Sequence, residues 1–208
     1  MNTINYFPLG IATGAAFCNR AAERLRLKQN IDNNQHTIFI SPRRYGKTSL
    51  AHQAIKDNSV AWGEADFLTV ADDEMVKLRI LTAVEQALTQ LFPPHQRILK
   101  KLVSYFKSLR PSLVMQADGA KIVLESSNQP LESIQDALQA LDLAASNAKR
   151  RVILLFDEFQ QIGSLKQTAL LEGIIRHCAQ FAKYVTYFFS GSNRHLLSIE
   201  VAHDVRRA

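Results

Sequence analysis

The sequence predicts an α/β fold in three layers, with helices covering both faces of a mostly parallel central sheet. Three observations carry that reading. Val152-Ile153-Leu154-Leu155-Phe156 is apolar without alternation, as a strand buried on both faces should be. Thr37-Ile38-Phe39-Ile40 passes through the loop Ser41-Pro42-Arg43-Arg44-Tyr45-Gly46-Lys47-Thr48 into Ser49-Leu50-Ala51-His52-Gln53-Ala54-Ile55, which reads as strand, loop and helix. Strand-like and helix-like segments also alternate along the chain, the order that places helices between parallel strands.

Composition fits one such domain. The chain has 208 residues, 47% of them apolar and 21% charged, which is ordinary for a soluble globular protein and unlike a disordered one. A net charge of +6 permits contact with nucleic acid or acidic surfaces without demanding it, since a nucleotide site itself concentrates Lys and Arg. Cys18 and Cys178 form no disulfide framework. The N-terminus lacks a basic start followed by an apolar run, and no apolar run approaches the ~20 residues that span a bilayer. A cytoplasmic protein without membrane contact is expected.

In chain order, residues 1–18 read as an irregular lead-in around Pro8, Gly10 and Gly14. Asn19 is the expected N-cap of a helix reaching about Asn30, with Arg20, Arg24, Arg26 and Lys28 on a solvated basic face. A second strand is expected over about 60–70, interrupted by Gly63. Asp72-Asp73 caps a long helix with Val76, Ile80, Val84, Ala87 and Leu91 on one stripe, stopped by Pro93-Pro94. A further helix is expected over about 95–109. Residues 111–125 predict an inserted β-hairpin turning at Ala117-Asp118-Gly119. Pro130 opens a helix with Leu131, Ile134, Leu138, Leu141 and Ala145 inward, closed by Lys149-Arg150-Arg151. Tyr184–Phe189 is a last buried strand.

The loop at 41–48 is the chemical centre. Strand, Gly-Lys-Thr loop and helix together form a phosphate-binding loop: backbone N–H groups and the positive end of the helix face a polyphosphate. Gly46 lets the chain pass close to a phosphate oxygen. Lys47 supplies a point charge to the β- and γ-phosphates, Thr48 a hydroxyl for Mg²⁺. The pattern asks for Gly at its first position and Ser41 stands there, which is costly if that position needs positive φ. The run 152–156 ends in Asp157-Glu158, at the end of a parallel strand where such sheets bind ligands. Asp157 is the expected second Mg²⁺ residue and Glu158 the base that orients and deprotonates water. Ser192 or Asn193, after the last strand, suits a γ-phosphate sensor. An arginine stabilising transition-state charge comes from Arg176, Arg194 or another subunit. Adjacent His177 and Cys178 cannot face one metal together from a helix and are read as structural.

Together these segments resemble the prokaryotic "archaeal-type" ATPases of the STAND branch, near AAA+ and the Orc/Cdc6-like proteins. The residues concerned are Phe17-x-x-Arg20-x-x-Glu23, Ser-Pro-Arg-Arg-Tyr-Gly-Lys-Thr, Leu-Leu-Phe-Asp-Glu-Phe-Gln, Leu171–Arg176 and Phe189–Leu197. The resemblance implies a three-layer P-loop NTPase core, ATP and Mg²⁺ as ligands, slow hydrolysis and use of the nucleotide as a switch. It implies that Ser41 to Ser49 contact nucleotide and that Phe17 and Arg20 lie near the adenine. It also implies strand order 5-1-4-3-2, with a fifth strand and helical lid after the Ser-Gly-Ser segment. Residues 199–207 do not look like that continuation, so a truncated member, a fragment, or a chain completed by a protein partner or by self-association is expected. The alternatives are a nucleotide-gated binding module with negligible hydrolysis and a DNA-associated, initiator-like fragment, the latter without a helix-turn-helix signal.

Overall fold

The computed structural model describes residues 11–14, 17, 20–42, 45–92, 102–106, 109–117, 119–126 and 129–191. Helix α1 (Ala21–Asp32) precedes β1 (Thr37–Ile40), α2 (Lys47–Asn58), β2 (Ala61–Asp66) and α3 (Asp73–Leu91). The hairpin β3 (Arg110–Gln116) and β4 (Gly119–Glu125) follows, then α4 (Pro130–Ala148), β5 (Val152–Asp157), a 3-10 turn over Phe159–Ser164, α5 (Thr168–Phe181) and β6 (Val185–Gly191).

The central sheet has the order β1-β6-β5-β2, all parallel. This is the expected 1-4-3-2 core; a fifth strand would fall outside the described residues. Its middle strands are buried along their whole length and mostly apolar because both faces are covered. Ile153, Leu155 and Phe188 join Leu27, Leu50, Ala54 and Ile55 of α1 and α2. Their neighbours Leu154, Phe156, Tyr187 and Phe189 face the opposite way, into a larger core with α3, α4 and α5. Along β5 the side chains alternate between two cores, which is why the sequence shows no alternation.

Local chemistry sets the ends of the elements. Asp72 accepts the Met75 N–H at 2.8 Å, the expected cap of α3. Pro130 opens α4. The second strand is shorter than expected: Asp66 accepts the Leu68 N–H at 2.8 Å and turns the chain out of the sheet. Gly63 does not interrupt it, since the strand runs through and a Cβ there would fall on the Ala83 carbonyl of α3. Gly63 is therefore a packing glycine.

Helix α3 also seals two strand edges. Gln90 accepts the Trp62 N–H and Gln86 the Glu64 N–H on β2, while Glu85 and Thr89 accept from Leu124 and Ile122 of β4. The inserted hairpin is thereby fixed to the main body. Asp142 of α4 accepts N–H groups of Lys183, Tyr184 and Val185 through one oxygen, which seats the start of β6. In the basic face of α1, Arg24 pairs with Asp57 at 2.7 Å and Lys28 with Asp32 at 3.0 Å. Asn19 and most of the helix expected over 95–109 lie outside the described residues, although Leu102, Phe106 and Leu109 are buried.

Candidate functional site

The parallel sheet brings its C-terminal strand ends to one rim, where β1 hands over to the loop and α2 and where Asp157 ends β5. Gly46 flanks α2 with φ 73°, the left-handed conformation that glycine adopts without penalty. Among the described residues nothing lies within 4 Å of where a Cβ would stand, so none of them fills the space in front of Gly46. Ser41 has no positive φ, and serine replaces glycine there without backbone strain. Its hydroxyl is buried without a hydrogen-bond partner.

Lys47 is buried, and its ammonium donates to the carbonyls of Ser41 at 2.9 Å and Pro42 at 3.2 Å. The loop thus folds around its own lysine. Thr48 donates its hydroxyl to Oδ2 of Asp157 at 2.8 Å, so the two residues expected to share a metal touch directly. Asp157 is itself held on the other oxygen: Oδ1 accepts the Ser190 hydroxyl and the Glu158 N–H. Glu158 sits in the left-handed region, φ 49°, and its Oε2 accepts from the Gln160 amide at 2.5 Å.

The flanking residues split. Arg20, at φ 61°, donates to the Tyr45 carbonyl at 2.6 Å and so reaches the loop. Phe17 packs against the α1–α2 core with the Arg24 guanidinium 5.9 Å above its ring. The Ser49 hydroxyl accepts the Ala12 N–H at 3.1 Å, tying the lead-in to α2, and Tyr45 is exposed. Arg43, Arg44, Ser192, Asn193 and Arg194 lie outside the described residues. Cys178 is in the core, and burial pushes its thiol up to about 12, far from a reactive thiolate.

Two residues escape sequence reasoning. Ser190 reaches Asp157 because β5 and β6 pair Phe156 with Phe189, which puts the next residues level. Its signal is a polar residue after the apolar run Tyr187-Phe188-Phe189, but only the register assigns it a partner. Gln160 closes the segment Leu-Leu-Phe-Asp-Glu-Phe-Gln two residues past Glu158, in the 3-10 turn, but that segment alone gives it no role.

The residues present suit a magnesium–polyphosphate ligand. A hydroxyl and a carboxylate are hard oxygen donors, and magnesium is commonly held by one or two protein groups together with phosphates and waters. Among the described residues there is no cluster of three or more His, Cys, Asp or Glu that would form a closed metal cage. The same residues provide a buried ammonium and an approach to Gly46 that no described residue fills.

No family model matches the chain, and no curated protein matches it in sequence. Among solved structures it is similar to a Walker-type ATPase of Pyrococcus abyssi, at 16% identity and a TM-score of 0.57, over 92% of this chain and 50% of that one. The chain thus has the α/β fold of a Walker-type ATPase and spans half the length of that neighbour. No helix among the described residues is long and apolar enough to cross a membrane.

Proposed function

We propose that this chain binds ATP as its magnesium complex at the loop 41–49, hydrolyses it slowly, and uses the bound nucleotide as a switch of the AAA+/STAND type. The observation that supports this most is the Thr48–Asp157 hydrogen bond, which joins the two residues that would hold the metal. Bound magnesium would neutralise charge on the β- and γ-phosphates. Lys47 exchanges the carbonyls of Ser41 and Pro42 for phosphate oxygens, and the amides around Gly46 complete the anion cup. Ser190 and the Glu158 N–H fix the carboxylate of Asp157. Glu158 takes the proton of the attacking water, and Ser192 or Asn193 reads the γ-phosphate. Arg20 positions the loop through the Tyr45 carbonyl.

A second reading, a nucleotide-gated binding module with negligible hydrolysis, is favoured by the bond from Gln160 that engages one oxygen of Glu158. A thermal-shift titration with Mg-ATP and Mg-GTP on the wild type and Lys47→Ala, beside a phosphate-release assay, tests both. ATP is expected to raise the melting temperature of the wild type only, with release above buffer. Stabilisation without release selects the second reading, and equal shifts in both proteins contradict nucleotide binding at the loop.

A further inference from the structure

A second concavity lies at the opposite end of the sheet. Because the strands are parallel, the N-terminal ends of β2 and β5, Ala61 and Val152, lie away from the loop. A cavity of about 490 Å³ opens there, where α2 ends and β2 begins, lined among others by His52, Lys56, Trp62, Gln90 and Arg150. A hollow of about 130 Å³ shares Ser59, Val60, Ala61 and Arg150 with it and adds Arg151.

Among the described residues three cations and no carboxylate line the pair. Lys56 and Arg151 form no ion pair among the described residues. Arg150 donates one nitrogen to the Leu91 carbonyl at 2.8 Å, which caps α3. Nη1 of Arg151 is buried with no hydrogen-bond partner, an expensive condition for a charged group. The C-terminal ends of α2, α3 and α4 contribute roughly half a negative charge each, which three full positive charges exceed. Trp62 is half-buried beside them, its ring 4.8 Å from that of His52. Cations along a groove with an aromatic ring are what single-stranded nucleic acid requires, the cations for its phosphates and the ring for a base. The chain's net charge of +6 suits a polyanion.

We propose that this hollow is a phosphate-anion site remote from the loop, with Lys56, Arg150 and Arg151 on phosphate groups and Trp62 beside a base, and that its ligand is a single nucleic-acid strand. A small phosphate ester shares the phosphate chemistry but not the backbone.

Trp62 is the single tryptophan of the chain, so its fluorescence reports the cavity directly. The test is run on Lys47→Ala, which removes the loop lysine and keeps the outcome independent of nucleotide binding there. An oligothymidylate of about ten nucleotides and inorganic phosphate are titrated separately. The oligonucleotide is expected to give a saturable change at lower concentration than phosphate. Adding Lys56→Gln and Arg151→Gln weakens it about tenfold or more, and the log–log salt slope becomes shallower by about 0.7 per cation removed. Lys56 is exposed, so Lys56→Gln alone serves if the double substitution impairs folding. Saturation by phosphate with no tighter binding of the oligonucleotide overturns the nucleic-acid assignment in favour of a small phosphate ester. A silent Trp62 with both ligands, or a response that the substitutions leave unchanged, overturns the site.

Discussion

Thr48 donates its hydroxyl to Oδ2 of Asp157 across 2.8 Å, although 109 residues separate them in sequence. One lies in the first turn of α2 and the other at the tip of β5, with β6 between their strands. Ser190 of that intervening strand holds the second oxygen. Replacing Thr48 by Ala leaves a largely buried carboxylate short of a donor. Urea denaturation is expected to show a loss of about 1–3 kcal/mol. A double-mutant cycle with Asp157→Asn should give a coupling of at least about 0.5 kcal/mol, and strictly additive losses would contradict a direct interaction.

Glu158→Gln separates binding from chemistry. The amide keeps the shape and the contact with Gln160 but accepts no proton. Nucleotide affinity is expected to stay within a few-fold of wild type while phosphate release falls about 10²- to 10⁴-fold. Undiminished release in this variant removes Glu158 from the role of base.

Gly63→Ala probes the seam between β2 and α3. The added methyl would overlap the Ala83 carbonyl, which belongs to backbone and has no rotamer to escape into. A loss of about 3 kcal/mol or more is expected in denaturant unfolding, against a small effect of Gly163→Ala, where no described residue lies within 4 Å.

These cases show what the sequence made legible. The passage from β1 into α2, the buried run 152–156, the Asp72 cap and the hairpin within 111–125 were readable because each rests on neighbours within a few residues. Gly63 was misread as an interruption because its reason is a helix carbonyl some twenty positions away. The role of Ser190 stayed hidden for a similar cause, since its hydroxyl finds Asp157 only through strand order and register; Gln160 is local to Glu158, but the conformation of the turn that joins them is not written in the residue types. Gln86 and Gln90 likewise take their role from β2, whose N–H groups they accept, and nothing in α3 itself points to it.

Stability should also depend on pH through His36. Its Nε2–H donates to the Ala179 carbonyl at 2.8 Å while Nδ1 accepts the Tyr187 N–H at 3.0 Å, so the ring is neutral and joins β6 to the end of α5. Burial lowers its pKa below the ordinary 6.5, only partly offset by the Ala179 carbonyl and the charge of Asp142. The unfolded chain therefore binds the proton more readily. The contribution is complete above about 6.5 and is lost as pH falls from there through the folded value. Denaturation midpoints between about pH 5 and 7 are expected to fall with acidification and to flatten in His36→Gln; parallel profiles would contradict the assignment.

Everything at the loop turns on whether the amides around Gly46 and the ammonium of Lys47 form an anion cup that Asp157 faces. Calorimetric titration with ATP, with and without magnesium, on the wild type, Lys47→Ala and Asp157→Ala measures this most directly. Magnesium-dependent binding is expected in the wild type, loss of binding in Lys47→Ala, and binding without magnesium dependence in Asp157→Ala. Identical isotherms for the three proteins would contradict it.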